Sequence, residues 1–236
     1  MIHALHGNLG LPSDWDGLGL ADLSAADLWE WQERVPGIGL NSFGEAYSQS
    51  VGRWDSTPVV MGYSLGGRLA LHALLARPEL WKGAVVISAH PGLKTREERE
   101  ARLEVDRAWA QLARQGEWGA FLMEWNVQPI FAGTPLVGES QRSLISRRDS
   151  IALAFEHWSL GCQSSLDQAV AKLEMPILWV TGEKDEKFTR LGAEMADLSP
   201  SIRHEVIPEA GHRVIQDAPE TLRELVGEFL KDNRLT

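Results

Sequence analysis

The strongest constraint on the fold is the pentapeptide Gly-Tyr-Ser-Leu-Gly at residues 62–66, which lies between an apolar run and a helical pattern. A G-x-S-x-G stretch in this setting predicts a sharp strand-to-helix turn with an exposed serine hydroxyl at its apex. Glycine on both sides of the serine lets backbone and helix pass without Cβ clashes. Ser64 is therefore the candidate nucleophile.

Short apolar runs alternate with helical patterns, which predicts an α/β fold with a mostly parallel sheet and helices on both faces. A helical pattern alone runs from about residue 95 to about 173, and we expect it to form a lid inserted between the fourth and fifth strands. At 236 residues the chain is expected to form one domain over 1–236. The predicted strands are residues 2–5, 28–31, 57–61, 84–87, 176–180 and 203–207, and the predicted helices outside the lid are 45–54, 65–76, 188–198 and 219–231.

Composition restricts the partners and the compartment. A formal net charge of −10 argues against binding to nucleic acid or to an anionic membrane surface. No segment approaches the roughly 18 uninterrupted apolar residues of a membrane span. No basic stretch and cleavage site follow Met1, and the single cysteine, Cys162, cannot form an intramolecular disulfide, so we expect a cytoplasmic protein with Cys162 in its core. The oligomeric state, monomer or homo-oligomer, stays open.

Two further residues follow predicted strands, as Ser64 does. Asp185 comes just after the fifth predicted strand, and His212 lies in the loop after the sixth. Parallel strands gather such residues at their carboxyl edge. A histidine can take the serine proton, and a carboxylate holds its imidazole in the required tautomer. The order Ser64, Asp185, His212 is that of an α/β-hydrolase triad. Other acids are less well placed: Asp167, Glu183 and Glu186.

The sequence His6-Gly7-Asn8 follows the first predicted strand. In the α/β-hydrolase fold, the backbone N–H after such a His-Gly pair joins the N–H after the nucleophile in an oxyanion hole. We expect Asn8 and Leu65 to supply these donors, which stabilise negative charge that develops on a substrate oxygen. We expect His6 itself to be structural, and we expect no metal site.

Five stretches together indicate a narrower relationship. They are residues 62–68, 90–93 (His-Pro-Gly-Leu), 106–110 (Asp-Arg-Ala-Trp-Ala), 128–131 (Gln-Pro-Ile-Phe) and 182–188 (Gly-Glu-Lys-Asp-Glu-Lys-Phe). On these stretches the chain resembles the 2-succinyl-6-hydroxy-2,4-cyclohexadiene-1-carboxylate synthase family, from about residue 59 to 212. The resemblance implies a lyase of menaquinone biosynthesis that needs no cofactor and eliminates pyruvate from a small anionic substrate, with the triad serine as the base.

The resemblance also implies a substrate pocket. Guanidinium groups pair bidentately with carboxylates, which suits a substrate with several carboxylates even in an acidic protein. The two elbow residues are Tyr63 and Arg68, and the lid residues are Arg102, Trp125 and Arg148, with Arg147 as an alternative to Arg148. Ordinary ion pairing of Arg68 and Arg102, and plain packing of Trp125, are the competing interpretations.

Two features depart from the family pattern. The chain leaves no room for the opening strand pair common in this fold, so we expect about six strands. Arg34 and Ile38 stand where relatives usually have the acid and the histidine of an Asp-x-Pro-Gly-His-Gly-x-Ser loop. The alternative function is a serine hydrolase for esters, thioesters or carbon–carbon bonds, because the same triad serves all of these reactions. A non-catalytic binding module is a third hypothesis.

Overall fold

The computed structural model describes residues 1–131 and 138–235. Within them, six strands form one sheet in which all neighbours are parallel, in the order β2-β1-β3-β4-β5-β6. The α/β fold and the expected number of strands are confirmed. The strands are β1 (Ile2–Leu5), β2 (Leu23–Ala26), β3 (Val59–Tyr63), β4 (Gly83–Ile87), β5 (Ile177–Gly182) and β6 (Ile202–Ile207).

The helices occupy the connections between strands and the stretch after β6. Those outside the connection from β4 to β5 are α1 (Leu28–Arg34), α2 (Leu40–Val51), α3 (Leu65–Ala76), α9 (Glu186–Leu198), α10 (Val214–Asp217) and α11 (Pro219–Asp232). Those within that connection are α4 (Arg96–Gln115), α5 (Trp118–Asn126), α6 (Glu139–Ser143), α7 (Arg148–His157) and α8 (Asp167–Val170). Among the described residues, none of the helices combines the length and apolar character needed to cross a membrane.

The strand predicted at 28–31 is wrong, because these residues begin α1. The side chain of Asp27 accepts hydrogen bonds from the N–H groups of Trp29 (3.0 Å) and Glu30 (3.4 Å) and so caps the helix. The second strand, β2, lies earlier, in Leu-Ser-Ala-Ala, where only Leu23 is strongly apolar. A short apolar run preceded by a capping residue is thus a helix start here.

The sheet is buried on both faces. Val60 of β3 points to one face, where it joins a cluster with Phe43 of α2 and Leu69 of α3. Met61 points to the opposite face and joins a cluster with Phe229 of α11. Because both sides of β3 are covered, the turn that follows it is held between two packed layers.

Aromatic packing and one ion pair hold the helical segment between β4 and β5 together. Trp125 contacts Trp109 and Phe155, with 5.3 Å between ring centroids in both cases. The two guanidinium NH groups of Arg114 donate to the two carboxylate oxygens of Glu156, each at 2.6 Å, which joins α4 to α7. Residues 132–137 of the expected lid lie outside the described residues.

Cys162 is exposed, so its predicted place in the core is wrong. Leu160 and Gly161 take the buried positions of this turn. A Cβ atom on Gly161 would lie 2.6 Å from the carbonyl oxygen of Arg99, so the chain packs closely against α4 at that point. The next side chain, that of Cys162, therefore turns outward.

Candidate active site

Ser64 lies on a strained turn between β3 and α3. Its φ of 52° and ψ of −110° are unusual for a residue with a side chain. A Cβ atom on Gly62 would lie 2.3 Å from the carbonyl oxygen of Gly66, and one on Gly66 would lie 2.0 Å from that of Leu5. Both glycines are therefore needed for the close approach of strand and helix, as the motif predicts.

The three predicted triad side chains meet at the carboxyl edge of the sheet. Ser64 Oγ lies 3.1 Å from His212 Nε2, and His212 Nδ1 lies 2.6 Å from Asp185 Oδ2. Since a carboxylate only accepts, Nδ1 carries the hydrogen, and Nε2 is left to accept from the serine hydroxyl. His212 is 2% and Asp185 8% exposed, so the pair is shielded from water.

The loops that carry Asp185 and His212 contact each other directly. The N–H of Lys184 donates to the carbonyl of Ala210 at 2.9 Å. A Cβ atom on Gly182 would lie 2.2 Å from the carbonyl oxygen of Gly211, so only glycine allows this approach. Packing between the two loops thus sets the short distance between imidazole and carboxylate.

The two expected oxyanion-hole residues both lie beside Ser64. Leu65 is the first residue of α3, and the N–H groups of a first helical turn have no partner within the helix. The side-chain oxygen of Asn8 accepts from the N–H of Leu9 (3.1 Å), whose φ is 54°. Asn8, Ser64 and Leu65 line one cavity wall, so the loop after β1 lies alongside the elbow.

His6 is fully buried, and its hydrogen bonds hold the loop after β1. Its Nε2 accepts from the N–H of Leu28 at 3.1 Å, so Nδ1 carries the hydrogen and donates to the carbonyl of Gly7 at 2.9 Å. Burial lowers the pKa of His6 to about 4, which keeps the ring neutral. These contacts join β1 to the start of α1, a positioning role.

Ser64 lies between two adjoining cavities. The first, which we call the arginine cavity, is lined by Arg68, Arg102, His90 and Phe188 among others. The second, the tyrosine cavity, is lined by Tyr63, Arg213 and Asp14 among others. Residues common to both are Asn8, Ser64, Trp125 and Phe131. Ser64 therefore contributes to the walls of both cavities.

Arg68 is a buried cation in the arginine cavity. Its guanidinium donates to the carbonyl of Trp158 (2.6 Å) and to Gln163 Oε1 (3.2 Å). Burial, and next the charge of Arg102, lower its pKa to about 10, so it stays charged at neutral pH. Both of its protein partners are uncharged, which leaves its positive charge for an anionic ligand.

Arg102 is half-exposed, and its Nε donates to Asp106 Oδ2 at 2.8 Å. Part of its charge is thus balanced within the protein. Trp125 is buried, and its ring contacts Phe131 at 5.8 Å between centroids as well as the helical segment. It therefore serves both packing and cavity lining.

Arg148 does not line either cavity. Its Nε donates to the carbonyl of Ala113 and another guanidinium nitrogen donates to that of Gly116, both at 2.7 Å. These carbonyls lie at the carboxyl end of α4, where backbone acceptors lack helical partners and a cation is favourable. The resemblance implied a place for Arg148 in the substrate pocket, but the structure places its guanidinium at the carboxyl end of α4 instead.

The alternative residue, Arg147, is also directed elsewhere. It donates to Asp27 Oδ2 at 2.6 Å and lies 3.6 Å from Glu33. In the loop that departs from the family pattern, Arg34 pairs with Glu30 at 2.6 Å. Arg34 is not among the described residues that line the two cavities.

Sequence reasoning missed Arg213, which follows His212 directly. It is 4% exposed, its guanidinium carbon lies 4.0 Å from the Phe131 ring centroid, and it donates to the side-chain oxygen of Asn126. Burial lowers its pKa. Asp14 in the same cavity accepts from the N–H of Leu11 at 3.0 Å. The sequence signal for Arg213 is its position next to the predicted triad histidine.

The family model of the alpha/beta hydrolase family matches residues 5–225. A 2-succinyl-6-hydroxy-2,4-cyclohexadiene-1-carboxylate synthase from Escherichia coli O1:K1 / APEC is 33% identical over 177 residues, 73% of this chain and 68% of that protein. A Bacillus subtilis (strain 168) relative is 36% identical over 177 residues, 72% of this chain, and the match spans just under two thirds (65%) of the relative. The structure of MenH from S. aureus has a TM-score of 0.88 at 21% identity and covers 99% of this chain and 94% of its own.

The fold and the serine elbow thus have the form of an α/β hydrolase. The chain belongs to the α/β-hydrolase family and, within it, to the 2-succinyl-6-hydroxy-2,4-cyclohexadiene-1-carboxylate synthases.

Proposed function

We propose that this chain eliminates pyruvate from a succinylated enolpyruvyl cyclohexene carboxylate and releases 2-succinyl-6-hydroxy-2,4-cyclohexadiene-1-carboxylate. The observation that carries the proposal is the position of Ser64 between two cavities that both contain arginine, Arg68 and Arg102 on one side and Arg213 on the other. Cations beside the serine of a protein with net charge −10 favour a substrate that carries carboxylates.

The triad performs proton transfer in this reaction. His212 takes the hydroxyl proton of Ser64 through Nε2, and Asp185 stabilises the imidazolium that forms. The serine oxygen then removes a proton from the substrate ring. The electron pair of that C–H bond forms a ring double bond, the carbon–oxygen bond to the enolpyruvyl group breaks, and pyruvate leaves after protonation. No acyl-enzyme forms.

The backbone N–H groups of Asn8 and Leu65 would stabilise the negative charge that develops on a substrate oxygen during proton removal. Donors that are already oriented cost no reorganisation in the transition state, and loss of one such donor typically costs roughly a hundredfold or more in kcat. Tyr63 and Trp125 would shape the space around the ring. The bulky side chains of Trp125 and Phe131, which line both cavities, would also exclude water from Ser64.

Incubation of the purified protein with the succinylated enolpyruvyl substrate tests the proposal. Released pyruvate is measured with lactate dehydrogenase and NADH, and Ser64→Ala is the matched control because triad members act as a unit. Turnover by the wild type and its loss in the variant are expected. If the wild type releases no pyruvate at high enzyme concentration but hydrolyses a nitrophenyl ester, the serine hydrolase alternative replaces the lyase.

We further propose that helices α4 to α8 act as a lid on a single α/β domain. Arg102 and Trp125 come from this segment and line the cavities, which supports a role in enclosing the substrate.

We also propose that the protein acts in the cytoplasm, since an exposed thiol at Cys162 suits a reducing compartment. Cell fractionation tests the second proposal, and recovery outside the cytoplasmic fraction contradicts it.

A further inference from the structure

His90 lies at the carboxyl edge of the sheet, three residues after β4, and lines the arginine cavity together with Ser64 and Arg68. Its loop is held on both sides. The N–H of Leu166 donates to the carbonyl of Pro91 at 2.8 Å, and Gln163 Nε2 donates to the carbonyl of His90 at 3.2 Å. The ring therefore has a defined position in the cavity wall.

Gln163 joins His90 to Arg68. Its side-chain oxygen accepts from the Arg68 guanidinium at 3.2 Å, while its side-chain nitrogen donates to the His90 backbone. Gln163 is 1% exposed, so this connection is shielded from water. The imidazole and the buried guanidinium are thus held as neighbours in one wall.

Hydrogen bonding defines the tautomer of His90. The N–H of Gly92 donates to His90 Nδ1 at 3.1 Å, so Nδ1 is an acceptor and the ring hydrogen resides on Nε2. No acceptor for this Nε2–H is found among residues 1–131 and 138–235. The ring is 8% exposed, and its open donor is left for a group that enters the cavity.

The surroundings of His90 keep its ring uncharged. Burial, followed by the charges of Lys187, Arg68 and Arg102, lowers the pKa of His90 to about 3, against a smaller opposing contribution from Glu98. The neutral imidazole adds no positive charge to that of Arg68. With so low a pKa it is also too weak a base to act as a second general base. Hydrogen-bond donation is the chemistry that remains to it.

We infer that His90 is a specificity-determining residue whose Nε2–H donates to a substrate carboxylate oxygen that Arg68 and Arg102 neutralise. The inference rests on the proposed function, which supplies a substrate with several carboxylates. Two substitutions test the hydrogen-bonding roles of the two ring nitrogens separately. In His90→Asn the amide oxygen can accept from Gly92 in place of Nδ1, whereas in His90→Gln the amide nitrogen can donate in place of Nε2.

Succinate is the probe, because it carries carboxylates but does not require turnover. Isothermal titration should show succinate affinity lower on the order of tenfold in His90→Asn, the size expected for one hydrogen bond to a charged acceptor. The unfolding temperature of that variant should stay near that of the wild type. His90→Gln should keep affinity within about threefold while its unfolding temperature falls. Ser48→Ala is the control, since Ser48 is a buried serine bonded to Trp81 and the Ala73 carbonyl, and it should lose stability but not affinity.

Equal succinate affinity in wild type and His90→Asn, or no binding in either, overturns the inference. Equal losses of affinity in the Asn and Gln variants also overturn it, because they indicate a structural imidazole. Pyruvate release by the wild type is measured separately. If release is absent while the Asn and Gln variants differ as expected, the proposed reaction fails and the carboxylate-binding role of His90 stands.

Discussion

Arg148→Met tests whether Arg148 stabilises the fold and takes no part in the proposed substrate site. Arg148 donates two hydrogen bonds of 2.7 Å to carbonyls at the end of α4, and its guanidinium lies 5.8 Å from the Trp118 ring centroid. Methionine keeps most of the aliphatic stem and removes the donors. The expected result is loss of stability without loss of the chemistry.

The magnitude follows from these contacts. A hydrogen bond from a charged donor contributes roughly 1.5–3 kcal/mol when buried, and the partial exposure of Arg148 places the pair together at about 2–3 kcal/mol. For a chain of this length each kcal/mol shifts the unfolding temperature by about 2–4 °C. We therefore expect Arg148→Met to unfold about 5–10 °C below the wild type.

Differential scanning calorimetry measures the shift, and pyruvate release at 25 °C measures activity. The variant should retain kcat and KM within about twofold at a temperature where it is folded, because its side chain is away from both cavities. Arg147→Met is the matched control. Its half-buried pair with Asp27 contributes about 1 kcal/mol, so its shift should be smaller. A variant at position 148 with the unfolding temperature of the wild type but without activity would refute this reasoning.

Three further predictions concern the triad, the tyrosine cavity and an ion pair. Asp185→Asn should lower kcat by about 10⁴, because an amide no longer holds His212 Nδ1 in its donating tautomer. Arg213→Met should raise KM for the polycarboxylate substrate by roughly tenfold or more and leave turnover of a neutral nitrophenyl ester near that of the wild type. Hydrogen bonds from Arg114 lower the pKa of Glu156, so the stabilising contribution of this ion pair is present above the unfolded pKa and lost as pH falls through the folded one. Between about pH 5 and pH 3, the wild type should therefore lose more unfolding free energy than Glu156→Gln.

Each of these predictions has a result that contradicts it. Wild-type kcat in Asp185→Asn would mean that the carboxylate does not orient the imidazole. Equal losses toward the charged and neutral substrates in Arg213→Met would indicate a structural guanidinium. Parallel stability curves of the wild type and Glu156→Gln across this pH range, from urea unfolding, would remove the ion pair from the acid response.

Local signals in the sequence were sufficient to predict the strand-to-helix turn at Ser64 and the order of the candidate triad residues. The glycines at 62 and 66 are required by contacts within a strand-turn-helix unit, and such contacts involve residues close in sequence or neighbouring strands. Asp185 and His212 each follow a strand, and parallel strands bring their carboxyl ends together in any such sheet. The common edge of these residues is therefore predictable, whereas the contact between their loops sets the distances.

Short segments were less predictable. The apolar residues at 28–31 suit a buried strand or a helix start equally, and the capping oxygen of Asp27 decides for the helix. Cysteine is usually a buried residue type, which led to the prediction that Cys162 lies in the core. The close contact of Gly161 with α4 instead turns the Cys162 side chain outward. In both cases the outcome depends on a hydrogen bond or a contact that a periodicity pattern does not contain.

The fold class and the candidate triad could be predicted from the residue pattern, because motif spacing and strand order act through local geometry. Which arginines line the cavities beside Ser64 depends instead on the packing of segments that are distant in the chain. Arg148 is drawn to the open carbonyls of α4, while Arg213 and Arg68 come from different loops and helices to opposite sides of Ser64. A long, flexible cationic side chain binds the acceptors that tertiary packing brings near it. Those acceptors belong to residues distant in the chain, so local sequence does not predict them.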